Sequence, residues 1–311
     1  MASILVIGAG ITGGYVAMRL YDQGADVALL ARGEKAARLE AEGLHLRDGI
    51  SGEERTVRLP IVREPVAREF DVVMACVQDV HRPEVEELAA RLPGRPVVWF
   101  LGNTVRGYER AGELLGRDRV LGGFPDVGGT WDGDVLLYAD RERPDDKPFN
   151  SLVIGEAFPE GAEACAQVQE IMTDLGMGVT RYDPIMAWHL CHLAMILPLA
   201  AVAYRHDGNL QTAADDRDML TEAVRAVGQG LSLIRRRGHP ILPAQLKLMR
   251  FLPASWAARR VAGTLESPFG AIALAGHAAT ARDEMRHLAV GMLHLADEQT
   301  GAALREMLSS I

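Results

Sequence analysis

The stretch from Ile4 to Gly14, Ile-Leu-Val-Ile-Gly-Ala-Gly-Ile-Thr-Gly-Gly, limits what this chain can fold into more than any other. Ile4 to Ile7 is an unbroken apolar run rich in β-branched residues, which suits a strand buried on both faces of a parallel sheet. Gly8, Gly10 and Gly13 follow at once in a Gly-x-Gly-x-x-Gly spacing. Gly8 permits a sharp strand-to-helix turn, Gly10 lets a pyrophosphate approach the backbone without meeting a Cβ, and Gly13 lets the next helix pack close to the strand. A helix over residues 11–23 aims its N-terminal N–H groups and positive dipole end at those phosphates. Gly8, Ala9, Gly10, Ile11, Thr12 and Gly13 are therefore the expected cofactor cradle. A second strand, Asp26 to Leu30, comes at the distance a dinucleotide-binding βαβ unit requires.

The end of that second strand selects the cofactor. An NAD site places Asp or Glu there to bond the ribose 2′-hydroxyl. This chain has Ala31-Arg32-Gly33-Glu34-Lys35 instead. Arg32 can stack on an adenine and pair through its planar fork with a 2′-phosphate, and Lys35 adds charge. Glu34 lies past the strand end. NADP(H) is the expected cofactor.

Alternating and continuous apolar runs continue the α/β pattern to Tyr182. A hairpin is expected near residues 44–47 and 56–59, and strands at Phe70 to Val77, Pro96 to Leu101, Val120 to Phe124, Val135 to Tyr138, Ser151 to Gly155 and Val179 to Tyr182. Helices are expected at residues 34–42, 82–92 and 161–175, with Asp140 to Asn150 as a surface loop. At Asp183-Pro184 the pattern changes: Asp183 suits an N-cap and Pro184 a first helical turn. Helical periodicity then runs through residues 185–204, 217–237, 243–252 and 278–300, without a convincing strand. The expected division is 1–182 for the dinucleotide domain and 183–311 for a helical substrate and dimerisation domain.

Composition narrows the setting. A net charge of −9 argues against nucleic-acid binding, and three scattered cysteines, Cys76, Cys165 and Cys191, read as buried free thiols of a reducing, cytoplasmic protein. The N-terminus enters a strand directly, so no secretory leader is expected. Met186 to Tyr204 is apolar enough to raise the membrane question, but His189, His192 and Pro198 lie inside it. A helix buried between two domains is expected, with no membrane partner.

Four segments now make the chain resemble the ketopantoate reductase (2-dehydropantoate 2-reductase) family: Ile-Gly-Ala-Gly-x-x-Gly-Gly-Tyr at residues 7–15, Leu-Leu-Ala-Arg-Gly at 29–33, Leu-Gly-Asn-Thr-Val at 101–105 and Arg-Val-Leu-Gly-Gly at 119–123. A tryptophan-containing apolar helix opening the second half adds to them. The resemblance covers roughly the first half strongly and the rest weakly. It implies an N-terminal Rossmann-type doubly wound sheet that binds NADPH and an all-α C-terminal domain like that of 6-phosphogluconate dehydrogenase. It also implies reduction of a ketone or 2-oxo acid in the interdomain cleft. The departures are specific. Gln78 stands where the family usually has a lysine, and Gly102 where it has a glutamine. The family's catalytic lysine lies nine residues before a proline, a count that reaches His189 from Pro198. Two active-site asparagines fall on Leu193 and Leu197, and the only lysines, Lys35, Lys147 and Lys247, offer no replacement.

Carbonyl reduction needs a hydride donor beside the carbon and a proton donor near the oxygen. A protonated histidine can replace lysine as that acid. His189 and His192, spaced i, i+3, can share a helix face, with His189 the first choice and His192 the second. Asn103 follows a strand end and can bond the cofactor or the substrate carbonyl. Gln78 and Asp79 are candidates for ribose or substrate contact. Arg282, Asp283 and Glu284 lie near the family's acidic substrate residue but read as a solvated helix face, and His277 is a weaker candidate. No third ligand at metal spacing accompanies the two histidines. Leu193 and Leu197 would leave the polar groups of ketopantoate unpaired at roughly 1–3 kcal/mol each, so a larger or more apolar carbonyl compound is the expected substrate. Two other classes fit the same cradle: an NADP(H)-binding sensor without turnover, and an oxidative enzyme of the opine type. A homodimer is compatible with the apolar helical half.

Overall fold

The computed structural model describes residues 2–64, 68–140, 149–267, 269–274 and 281–311. The chain folds as two compact units, Met1–Gly102 with Gly107–Ile185, and Asn103–Arg106 with Met186–Ile311. His277, Lys147 and most of the expected loop at 140–150 lie outside the described residues.

The first unit runs β1 (Ser3–Ile7), α1 (Ile11–Asp22), β2 (Asp26–Leu30), α2 (Gly33–Glu42), β3 (Leu44–Asp48), β4 (Glu54–Val57), β5 (Ile61–Val62), β6 (Val72–Ala75), α3 (Arg82–Ala90) and β7 (Val97–Leu101). It continues through α4 (Glu109–Leu115), β8 (Val120–Pro125), β9 (Val127–Asp132), β10 (Val135–Asp140), β11 (Phe149–Glu156), α5 (Ala162–Asp174) and β12 (Met177–Arg181). Eight strands form one sheet in the order β12-β11-β8-β7-β6-β1-β2-β5. The six from β5 to β8 are parallel, and β11 enters antiparallel to β8. The chain leaves β1 to one side for β2 and to the other for β6, so the order reverses at β1, where doubly wound sheets take their ligands. Buried on both faces, these strands are the continuous apolar runs of the sequence, with Ile4, Val6, Leu29, Met74 and Trp99 wholly enclosed.

A second sheet, β4-β3-β10-β9, contains the expected hairpin as β3 and β4, with β10 parallel to β3. The strand β9, with two glycines in its first half, gives no alternation signal. This sheet covers α1 on the side away from β1. A Cβ on Gly14 would come within 2.8 Å of Leu136 Cδ1, and Tyr15 donates a hydrogen bond to Asp140 while its ring packs 5.1 Å from that of Tyr138. Covered on two sides, α1 buries seven of its twelve residues, including the consecutive run Gly13 to Met18.

Asp183 does not cap the next helix. Its carboxylate accepts from the Glu156 N–H at 2.9 Å and from Arg181 Nε at 2.5 Å, because a cation two residues away outcompetes a helix terminus. The second unit holds α6 (Ile185–Arg205), α7 (Leu210–Asp215), α8 (Arg217–Arg236), α9 (Ala254–Leu265), α10 (Arg282–His294) and α11 (Ala302–Ser309). Asn209 and Asp216 cap α7 and α8 with their side-chain oxygens. Residues 243–252, expected as α-helix, form a 3₁₀ segment, Ala244–Phe251, between Pro243 and Pro253. Pro253 holds Leu252 in the extended region and prevents continuation. The long apolar α6 is a core helix: 67% of its most apolar window is buried, with Cys191, Leu193 and Leu197 fully enclosed.

One polar cluster is built into the first core. Arg82 lies 3.3 Å from Asp79 and 3.4 Å from Glu86, donates to the Gly107 carbonyl, and covers the rings of Phe100 and Tyr108. All three charged side chains are nearly inaccessible. Asp79, expected as a ribose or substrate contact, is buried here against Arg82. Replacing Arg82 by alanine strands a buried carboxylate, and should lower the unfolding free energy by about 3–5 kcal/mol in urea denaturation.

Candidate active site

The carboxyl ends of three adjacent parallel strands, β2, β1 and β6, gather most of the residues singled out above. The glycine turn follows β1, Arg32 follows β2, and Gln78 lies three residues beyond β6. Sheet order, rather than sequence distance, brings them to one edge.

The turn is sterically tight in two places and open in a third. Gly8 has φ +105°, and a Cβ on it would sit 2.5 Å from the Cys76 carbonyl oxygen. A Cβ on Gly13 would sit 1.8 Å from the Gly8 oxygen. Gly10, exposed at the N-cap of α1, has nothing within 4 Å of where its Cβ would be. Ala9, Ile11 and Thr12 are half-buried around it. The open face at Gly10 and the helix N-terminus behind it fit a bound pyrophosphate.

Arg32 is exposed, and its guanidinium has no hydrogen-bond or ion-pair partner among the described residues. Its neighbours differ: Arg38 pairs with Asp134, Arg55 with Asp22 and Arg63 with Glu40. Lys35 stands 3.7 Å over the Trp131 ring, and burial there, helped by the Arg38 charge, pushes its pKa down to about 8. Gln78 is half-exposed ahead of a short 3₁₀ turn.

The second unit carries the remaining candidates. Asn103 is 4% exposed, and its buried Oδ1 has no hydrogen-bond partner among the described residues. Such an orphaned acceptor fits a ligand donor such as a carboxamide or hydroxyl. Two residues on, Val105 lodges against α10, where a Cβ on Gly291 would come within 2.3 Å of it. On α6, His189 is wholly buried and edge-on to Trp188, whereas His192 retains exposed surface and stacks on Trp188 at 4.9 Å and 9°. Leu193 and Leu197 belong to the helical core. On α10, Arg282 and Asp283 are exposed but Glu284 is only 4% exposed, so the reading of all three as a solvated face fails at Glu284. The sequence did hold a signal: Glu284, Leu288 and Gly291 recur at helical spacing on one face. The i, i+4 spacing of Trp188 and His192 was equally legible.

A groove lined by Ser3, Asp71, Arg95 and Gln167 opens at the opposite, amino ends of the strands and has no part in this arrangement.

Nicotinamide dinucleotides are what a turn of this form holds at the reversal point of such a sheet. Residues 4–142, somewhat less than half of the chain, match the family model described as Ketopantoate reductase PanE/ApbA. It is 30% identical over 123 residues to YkpB of Bacillus subtilis (strain 168), described as an uncharacterized oxidoreductase; the match spans 39% of each chain. The fold is shared with 2-dehydropantoate 2-reductase from Geobacter metallireducens GS-15, at TM-score 0.76 and 14% identity, over 99% of this chain and 98% of that one. It is shared also with D-mandelate dehydrogenase in complex with NADH and anilino(oxo)acetate, at TM-score 0.75 and 11% identity, over 99% and 96%.

Gly10 separates binding from folding. Gly10→Ala has room for its methyl and an ordinary φ of −81°, so its thermal stability should stay within about 0.5 kcal/mol of wild type. Its affinity for a nicotinamide dinucleotide, by calorimetric titration, should fall at least tenfold, roughly the 1.4 kcal/mol a displaced phosphate contact costs.

Proposed function

We propose that the protein is an NADP(H)-dependent reductase that converts a ketone or 2-oxo acid larger or more apolar than ketopantoate into its alcohol. The observation that carries the reading is the unpaired guanidinium of Arg32 beside a glycine turn whose open face is at Gly10. The turn residues Gly8 to Gly13 hold the pyrophosphate through backbone N–H groups. Arg32, with Lys35, takes the 2′-phosphate through charge-assisted hydrogen bonds. Gln78 serves the ribose, and Asn103 Oδ1 accepts a hydrogen bond from the carboxamide or the substrate. The cofactor supplies the hydride when bound.

The proton comes from the histidines of α6. Register favours His189, but His189 has no exposed surface, so the role falls to His192, whose ring is oriented by its stack on Trp188. Glu284 adds a buried carboxylate near the start of α10. Leu193 and Leu197 remove polar anchors for a small hydroxy-acid, and a protein of the same fold holds anilino(oxo)acetate, an aryl-substituted oxo acid. We assign the protein to the cytoplasm and to a homodimer on the same footing.

Arg32→Ala should weaken NADPH binding about 10- to 100-fold, the worth of one or two charge-assisted hydrogen bonds, and leave NADH binding unchanged in parallel titrations. Since the Lys35 pKa is about 8, its charge is present below that pH and lost above it. The preference for NADPH over NADH should therefore shrink as pH rises from about 7 to about 9, and Lys35→Met should abolish that dependence. With a panel of aryl and alkyl 2-oxo acids, His192→Ala should lower kcat by about 10²- to 10⁴-fold. Equal activity in wild type and His192→Ala, or turnover of ketopantoate above all other substrates, would refute the assignment.

A further inference from the structure

The net charge of −9 conceals a strong local reversal: residues 223–265 hold eight Lys or Arg and no Asp or Glu. Some of those cations are engaged. Arg225 pairs with Glu222, Arg236 with Asp297, and Arg237 donates to the carbonyls of Leu295 and Ala296. Lys247, Arg259 and Arg260 are exposed and form no ion pair with any described residue. Large apolar side chains crowd the same stretch. Of eight that are exposed among the described residues, four fall within nine positions: Leu248 at 61%, Phe251 at 68%, Leu252 at 40% and Trp256 at 42%.

The local architecture holds these groups outward. The inner face of α9, Ala257, Ala258, Ala262 and Leu265, is buried in the helical core. Its outer face presents Trp256, Arg259 and Arg260, with the Arg260 guanidinium 5.4 Å from the indole centroid. The 3₁₀ segment before it contributes Lys247, Leu248 and Phe251.

We propose that this face docks the protein on an anionic lipid surface. Trp, Phe and Leu insert at the depth of the headgroups while Lys and Arg reach the lipid phosphates, and the stretch from 223 to 265 that supplies both kinds of side chain holds no acidic residue of its own. A two-fold contact with a second copy would bring like charges together, because such a contact apposes the same patch to itself. The expectation of no membrane partner rests on His189, His192 and Pro198 interrupting the apolar run of α6, and that does not bear on this patch.

Co-sedimentation of the full chain tests the proposal, with vesicles of phosphatidylcholine alone and of an equimolar mixture with phosphatidylglycerol. Binding is expected to the mixed vesicles only, and to fall by at least tenfold in about 1 M salt, where the screening length is about 3 Å. Lys247→Glu/Arg259→Glu and Leu248→Ser/Phe251→Ser should each lower binding by a similar factor while their thermal melts stay unchanged. No binding to mixed vesicles, equal binding to both kinds, or binding insensitive to either pair of substitutions would overturn it. So would a dimer in light scattering that Leu248→Ser/Phe251→Ser dissolves, which would make the patch a self-contact.

Discussion

The first unit depends on how closely α1 approaches the turn that precedes it. Gly13 lies so near the Gly8 carbonyl that a single methyl would overlap it, and Gly8 in turn abuts the Cys76 carbonyl beyond β6. These two absent side chains let three segments, the end of β1, the start of α1 and the end of β6, share a volume that ordinary residues would fill. The same compression leaves the N-terminal N–H groups of α1 facing outward at Gly10. On the far side of the helix, Gly14 allows equally tight contact with Leu136 of the second sheet. A helix clamped on two sides offers a fixed anion site, which is the property a phosphate-binding turn needs.

Charge in this chain is almost entirely a matter of arginine and carboxylate, and its distribution separates structure from function. Where an arginine is paired, as with Arg82 between Asp79 and Glu86, it fixes a loop or a helix entry. Where it is unpaired at the end of a strand, as with Arg32, its field is available to a ligand. Surface pairs contribute little each to stability. Their importance here is that they neutralise cations such as Arg38 and Arg63 on the elements around the glycine turn, so that Arg32 stands apart from its neighbours. On the outer face of α9 the contrast is again local, since Arg259 and Arg260 lie in a stretch without a carboxylate.

In the helical unit Leu193 and Leu197 belong to the apolar core, and the rings of His189 and His192 both pack against Trp188. Asn103 and Glu284 remain buried polar groups in that unit, and burying polar groups is costly unless they have work to do or partners to meet. The net effect is a unit that keeps a few fixed polar atoms in an otherwise more apolar setting.

The sequence by itself determined the parallel sheet, the phosphate turn and the helical second half. Each rests on local physics: β-branched runs that only a doubly covered sheet buries, glycines that only close approach requires, and 3.6-residue periodicity. It also placed Arg32 at a strand end, since the count from Gly8 is fixed by one helix and one strand. Tertiary structure alone decided whether a polar side chain faces water or the interior. Asp79 and Glu284 looked alike as acids at helix starts; the fold pairs the first with Arg82 and buries the second in the helical unit. His189 and His192 were equivalent on one helix face in the sequence; in the fold the first is wholly buried and the second keeps exposed surface. Burial is a property of what packs on top of a residue, supplied by segments distant in the chain, so no local pattern encodes it.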